Sequence, residues 1–341
     1  MKNQSFPGTR VHGGPDEAGV PLHDFSTNSN ACGPSPHALS AVLQADPTHY
    51  PDAAYTGLRQ QLAGFHHVDV RRIVFASSAS EFIFRITSLV SRRGGNTVSL
   101  PVHSYGDYAQ AARACAMKPA STDAEAPLRW SCDPSSPQGL GDERLPDLVT
   151  TRGKGDVVVL DRAYEPLRLE GAVALTHKQL QSVWQLWTPN KALGLTGVRA
   201  AYAIAPLDAD AEVQAMDALC PSWPVGSHGV AMLQAWTQPD VQAWLAGSLH
   251  TLRNWKTRQL ALCEAMGWHC EASHANFFCA GPALPDAMSL TAALGRLRQR
   301  GIKLRDAGSF GLPGMVRVSV QAPEAQDALH NTWQFITGKT A

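Results

Sequence analysis

The chain has 341 residues, 44% of them hydrophobic, and its 29 Lys and Arg are balanced by 29 Asp and Glu. That length buries a large core and predicts two lobes, while scattered charge summing to zero excludes a nucleic-acid footprint and a polybasic membrane anchor. No stretch approaches the roughly 18 consecutive apolar residues of a membrane span, and the opening MKNQSFPGTRVHGG lacks the apolar core of a signal peptide, so the expected compartment is the cytoplasm.

In chain order, Ile73 to Phe75 reads as a strand followed by a helix from about Ser80. Thr97 to Leu100, Val157 to Leu160, Val183 to Trp187 and Ala200 to Ala205 read as further short strands. The Pro- and Ser-rich stretch from Pro119 to Pro146 reads as a loop-rich connection, with Asp133 to Gly139 its tightest turn. Short apolar runs alternating with amphipathic stretches predict an α/β architecture with a mostly parallel sheet over about residues 40–245. Beyond it, a helix (Asp240 to Met266), a strand near Asn276 to Cys279, a helix (Ser289 to Arg300) and a strand (Met315 to Val320) predict a smaller α+β lobe. That lobe takes residues 246–341, with residues 1–39 folding back to join it.

Seven cysteines, at 32, 115, 132, 220, 263, 270 and 279, show no CxxC spacing and read as reduced, mostly buried thiols. The adjacent pair His66 and His67 diverges on a helix, and no histidine has ligand spacing such as HExxH, so no metal site is expected.

The segment WTPNKALGLTGVR, Trp187 to Arg199, places one lysine, Lys191, between a hydroxyl three residues before it and an arginine eight residues after it. A lysine condenses with an aldehyde only when its amine can be neutral, which needs a desolvated or cationic neighbourhood. Thr188 and Arg199 would grip a phosphate, the arginine as a planar fork of donors. Apolar runs on both sides put Lys191 in a loop between buried elements; a surface lysine is the bland alternative.

Ligands of an open parallel sheet bind beyond the carboxyl ends of its strands. Asp161 ends the run GDVVVLD, where a carboxylate is costly to bury unless a cation meets it; a turn-capping Asp is the plain alternative. Tyr164 follows three residues later. In FASSASEF a strand, a turn of small residues and a helix start make Ser78, Ala79 and Ser80 candidate donors to a phosphate, although serine-rich helix starts also serve as simple caps.

The Lys191 segment resembles the S/T-x-x-K-x-x-G-L-x-G-x-R pattern of fold type I enzymes dependent on pyridoxal 5'-phosphate, and D-x-A-Y at Asp161 to Tyr164 is similar to the same family. The resemblance implies a PLP-dependent transferase fold of type I, a large lobe with a mostly parallel sheet flanked by helices plus the smaller lobe. It further implies that Asp161 keeps the ring protonated, that Tyr164 donates to the ring hydroxyl, and that Tyr105 in SYGDY stacks on the ring; a plain core tyrosine is the other reading of Tyr105. DPSSPQG resembles the family's NPNNPTG turn, with Ser136 where the family has an asparagine bonded to the ring hydroxyl. Losing that neutral hydrogen bond removes only about 0.5–1.5 kcal/mol. Arg317 in GMVRVSV looks like the arginine for the substrate carboxylate, and Arg305 in IKLRD like a second one that serves a substrate phosphate in the histidinol-phosphate aminotransferase branch.

The N-terminal third narrows the branch. HGG at His12 to Gly14, HDFSTNSNACGPSP with Asn28, and HYPDAAYTGLR resemble the threonine-phosphate decarboxylases of cobalamin biosynthesis, with Ala31 where those have proline. By the same resemblance His12 and Asn28 are substrate-site candidates, and Tyr50 of YPD reaches the cofactor phosphate of a second subunit, implying a homodimer. The resemblance runs in order from His12 to Arg317 and implies decarboxylation of L-threonine O-3-phosphate. Transamination of histidinol phosphate or an aromatic amino acid, and a non-catalytic binding protein of the same fold, are the competing readings.

Overall fold

The structure is a computed structural model and describes residues 12–338. Residues 1–11, which carry most of the segment read as lacking a signal-peptide core, lie outside the described residues. The chain divides into two compact units: Ser29–Asn254 with Ala272–Asn276, and a smaller one of the residues up to Asn28, Trp255–Glu271 and the residues from Phe277 on. The chain crosses this division four times, once inside the long helix Pro239–Ala265.

The smaller unit begins with strand β1 (His23–Asp24). The larger unit follows with β2 (Ile73–Ala76), β3 (Thr97–Ser99), β4 (Lys118–Pro119), β5 (Leu128–Cys132), β6 (Val157–Asp161), β7 (Trp184–Trp187) and β8 (Ala201–Ile204). These seven form one sheet in the order β2-β8-β7-β6-β5-β3-β4. All neighbours are parallel except β8, which runs against both β2 and β7. Because β8 alone is reversed, the ends of β2, β3, β5, β6 and β7 and the start of β8 share one edge of the sheet, the edge at which such sheets bind ligands.

One expectation fails outright. Pro119 to Pro146 is not a loop-rich connection throughout: it contains β5, a fully buried strand between β3 and β6, and the start of the helix Leu145–Thr150. The sequence Leu-Arg-Trp-Ser-Cys hid it, because a buried strand is normally an unbroken apolar run. Arg129 is tolerated there since its guanidinium donates to the carbonyls of Ala124, Ala126 and Leu148, to Thr151 Oγ1 and to Asp156 Oδ2 at 2.7–3.3 Å. A buried charge so paired and bonded avoids the penalty of an isolated one.

The helix Ala79–Arg92 lays Phe82, Ile83, Ile86 and Leu89 against Tyr108, Trp130, Val159 and Trp184 in the main core of the larger unit. Ser78 caps it, its Oγ accepting from the Glu81 N–H at 3.1 Å. In the smaller unit, β9 (His269–Cys270), β10 (Phe277–Gly281), β12 (Arg305–Asp306) and β13 (Val316–Ser319) make an antiparallel sheet in the order β12-β13-β10-β9, while β1 pairs in parallel with β11 (Ile302–Lys303). Its core gathers Phe25, Trp268, Phe278, Val316, Val318 and Trp333. No helix among the described residues is long and apolar enough to cross a membrane, and no group of three or more His, Cys, Asp or Glu among them could hold a metal ion.

Candidate active site

Lys191 lies in the connection between β7 and β8, a loop organised by a buried asparagine that sequence reasoning passed over. Thr188 Oγ1 donates to Asn190 Oδ1 at 3.0 Å, and Asn190 Nδ2 donates to the carbonyls of Thr196 and Val198. The stretch from Ser29 to Ser35 straps the same loop: the Asn30 N–H donates to the Lys191 carbonyl (2.9 Å), Asn30 Nδ2 to the Ala192 carbonyl (3.0 Å) and the Ser35 N–H to the Leu193 carbonyl (2.9 Å). Contact is so close that a Cβ on Gly194, whose φ is +70°, would sit 2.7 Å from the Gly33 carbonyl oxygen. Only glycine accepts both the angle and the approach.

Lys191 Nζ stands 5.2 Å from the centre of the Tyr164 ring. Asp161, at the end of β6, is buried; its Oδ2 accepts from the Tyr108 hydroxyl at 2.6 Å and its Oδ1 from the Ala163 N–H at 2.9 Å. Burial pushes this carboxyl above the ordinary carboxylate range, opposed by the Tyr108 hydroxyl, the Ala163 N–H and the positive charge of Lys191. Tyr108 is fully buried and stacked on Trp130, ring centres 4.5 Å apart.

Tyr108 is the residue the sequence reading missed. Of the two tyrosines in SYGDY it singled out Tyr105, yet Tyr108 makes the bond to Asp161. The available signal was spacing: residues three apart at a helix start share one face, and Tyr105 and Tyr108 indeed meet edge to face at the start of the helix Gly106–Ala114. The Tyr105 hydroxyl lies 3.2 Å from Ser80 Oγ, which ties it to the Ala79–Arg92 helix start, and burial raises its phenol above the usual value. Helix geometry leaves the N–H groups of Ala79 and Ser80 without intrahelical partners. The structure thus gathers Lys191, Asp161, Tyr164, Tyr105 and Ser80 at one sheet edge in the larger unit.

Other candidates sit apart or differently. Ser136 is buried in a turn anchored by an Asp133–Arg168 ion pair of 2.6 Å. Arg199 stands exposed just before β8, at the same sheet edge. Tyr50 is 78% exposed, its ring stacked on Trp223 at 4.5 Å. Arg305, Arg317, His12 and Asn28 belong to the smaller unit, where Asn28 is buried and His12 exposed. There the two arginines occupy directly opposed positions on β12 and β13.

A phosphorylated pyridine aldehyde fits the larger unit's cluster. Each Asp161 oxygen carries one hydrogen bond and keeps a further acceptor site for a cationic ring N–H. A lysine amine and two phenols stand around it, and an open helix start is at hand for a phosphate.

Residues 21–331 match the family described as aminotransferase class I and II. The chain is 26% identical to a histidinol-phosphate aminotransferase of Shouchella clausii, covering 89% of this chain and 86% of that protein. It is 27% identical to one of Haloferax volcanii, covering 91% and 89%. In fold it is similar to the histidinol-phosphate aminotransferase of Sinorhizobium meliloti solved with pyridoxal-5'-phosphate, with TM-score 0.78, 23% identity, and 92% and 90% of the chains covered. It is likewise similar to the L-threonine-O-3-phosphate decarboxylase of Porphyromonas gingivalis, with TM-score 0.73, 20% identity, and 92% and 98% covered. These findings bear out the resemblance drawn from the Lys191 and Asp161 motifs. The chain belongs to the aminotransferase class I and II family and is a fold type I enzyme dependent on pyridoxal 5'-phosphate.

Proposed function

We propose that the protein decarboxylates a small phosphorylated amino acid, L-threonine O-3-phosphate, to aminopropanol phosphate as a cytoplasmic step of cobalamin biosynthesis. The observation that carries this reading is the pair of buried arginines opposed across β12 and β13, which suits a substrate with two anionic groups. The N-terminal HGG and DFS motifs favour the decarboxylase branch.

In this reading Lys191 Nζ holds the cofactor, Asp161 keeps a negative charge opposite its ring nitrogen, and Tyr164 donates to its ring oxygen, with Ser136 beside it. Thr188, Arg199 and the Ser78–Ser80 helix start take the phosphate, and Tyr105 covers the ring. The cofactor, when bound, supplies the electron sink that stabilises a carbanion at the substrate's α-carbon. Arg317 grips the α-carboxylate and Arg305 the phosphate, with His12 and Asn28 at the substrate. Arg317, by the orientation in which it would hold the carboxylate, would favour loss of carbon dioxide over loss of the α-proton, and Lys191 Nζ would return a proton to the α-carbon. The exposed Tyr50 reaches the cofactor phosphate of a second copy in a homodimer.

Transamination is the second reading, favoured by the relatives named histidinol-phosphate aminotransferase that match this chain over nearly its whole length. One experiment separates them: carbon dioxide release from L-threonine O-3-phosphate by the PLP-loaded protein, with the cofactor spectrum recorded alongside. Sustained release with the spectrum retained is expected, and Lys191→Ala should abolish both release and covalent attachment while leaving the fold intact. Conversion to pyridoxamine phosphate without release would transfer the protein to the transaminase branch.

A further inference from the structure

Arg305 and Arg317 are 4% and 7% exposed, and like charges directly opposite each other on paired strands repel. Burial, and then the neighbouring Arg317, pull the Arg305 guanidinium down to about 10. Both guanidinium groups lie near one aromatic ring. Phe310, at the end of the short turn Gly308–Phe310, has its ring centre 4.7 Å from the Arg305 guanidinium carbon and 5.5 Å from that of Arg317. The negative face of a benzene ring attracts cations at such distances. Each arginine also donates hydrogen bonds. Arg305 donates to the Asp306 carbonyl and to Ser309 Oγ, both at 2.6 Å, whereas Arg317 donates to the Ser26 carbonyl at 2.9 Å.

Two guanidinium forks free to converge would clamp a single carboxylate, and any amino acid would satisfy them. Two forks held apart by a shared ring present two sites instead. We propose that Phe310 is a specificity-determining residue, whose ring keeps Arg305 and Arg317 as separate anion sites and so selects amino acids bearing a second anionic group. This rests on the reading of the arginines as substrate-binding groups.

The test compares two ligands with one carbon skeleton, L-threonine O-3-phosphate and L-threonine, each titrated into the holoenzyme by absorbance, together with steady-state kinetics. Phe310→Leu removes the ring face while keeping an apolar side chain. It should weaken binding of the phosphorylated ligand about ten-fold or more, the scale of a partly desolvated cation–π contact, and leave L-threonine within about two-fold. KM should rise with kcat little changed, and Phe310→Tyr and Phe310→Trp, which keep a ring, should restore discrimination. An equal loss for both ligands would mark a merely structural role, and an unchanged ratio or failure of the ring variants to restore it would overturn the proposal. Arg305→Ala and Arg317→Ala separate the layers. If neither alters binding of the phosphorylated ligand, the arginine reading falls and the role of Phe310 with it; if they weaken it and Phe310→Leu does not, only the role of Phe310 falls.

Discussion

Asp161 can face a cationic ring only while ionised, and its burial works against that. The Tyr108 hydroxyl is the shorter of the two hydrogen bonds holding the charge in place. Hydrogen bonds to charged groups contribute about 1.5–3 kcal/mol, so Tyr108→Phe should weaken PLP binding about ten- to a hundred-fold, measured by quenching of protein fluorescence as the apoprotein is titrated. Unchanged affinity would show that the Ala163 N–H alone suffices. At this scale the sequence was legible where a polar residue directly follows an apolar strand: Asp161 after three valines and a leucine, Thr188 after Trp187. Spacing could mark Tyr108 but not its bond to Asp161, because a tyrosine in a helix's first turn looks like core. Its partner lies 53 residues away along the chain, and only the fold brings the two together.

Among elements, the mostly apolar strands β2, β6, β7 and β8 could be read to within a residue or two at each end, and β5 could not. Its Arg129 and Ser131 break the run, and the charge is made tolerable only by partners from Ala124 to Asp156 that no local pattern announces. The reversal of β8 was equally hidden, since hydrophobicity carries no direction. The β7–β8 loop makes a sharper demand: Gly194 sits at φ +70° against the backbone of Gly33 and Pro34. Gly194→Ala should cost about 1–3 kcal/mol in backbone strain alone, with more from the clash, and should loosen the loop that carries Lys191. Urea unfolding of the apoprotein together with the rate of PLP loss would check this; wild-type values for both would mean the strap yields easily.

For the molecule as a whole, the acid limit of stability should carry the mark of one residue. His66 Nε2 lies 2.7 Å from the Tyr202 hydroxyl, which also accepts from Trp236 Nε1 at 3.1 Å, so the phenol donates to a neutral imidazole. Burial, then the charges of Arg162 and His67, hold its pKa down at about 3 against 6.5 for a free histidine. Between those values the unfolded chain binds a proton that the fold refuses. Stability from this group is therefore complete above about pH 6.5 and falls as pH drops, by about 1.4 kcal/mol per unit. His66→Gln should flatten the slope of unfolding free energy against pH between 6 and 4, and an unaltered slope would place the titration elsewhere. The strap from Ser29 to Ser35 acts on another axis, that of time. It is synthesised before the carbonyls of Lys191 and Ala192 that it binds, which lie 162 residues further on. Contacts so distant in the chain close late, so the nascent protein cannot fix its lysine until most of the larger unit has been made.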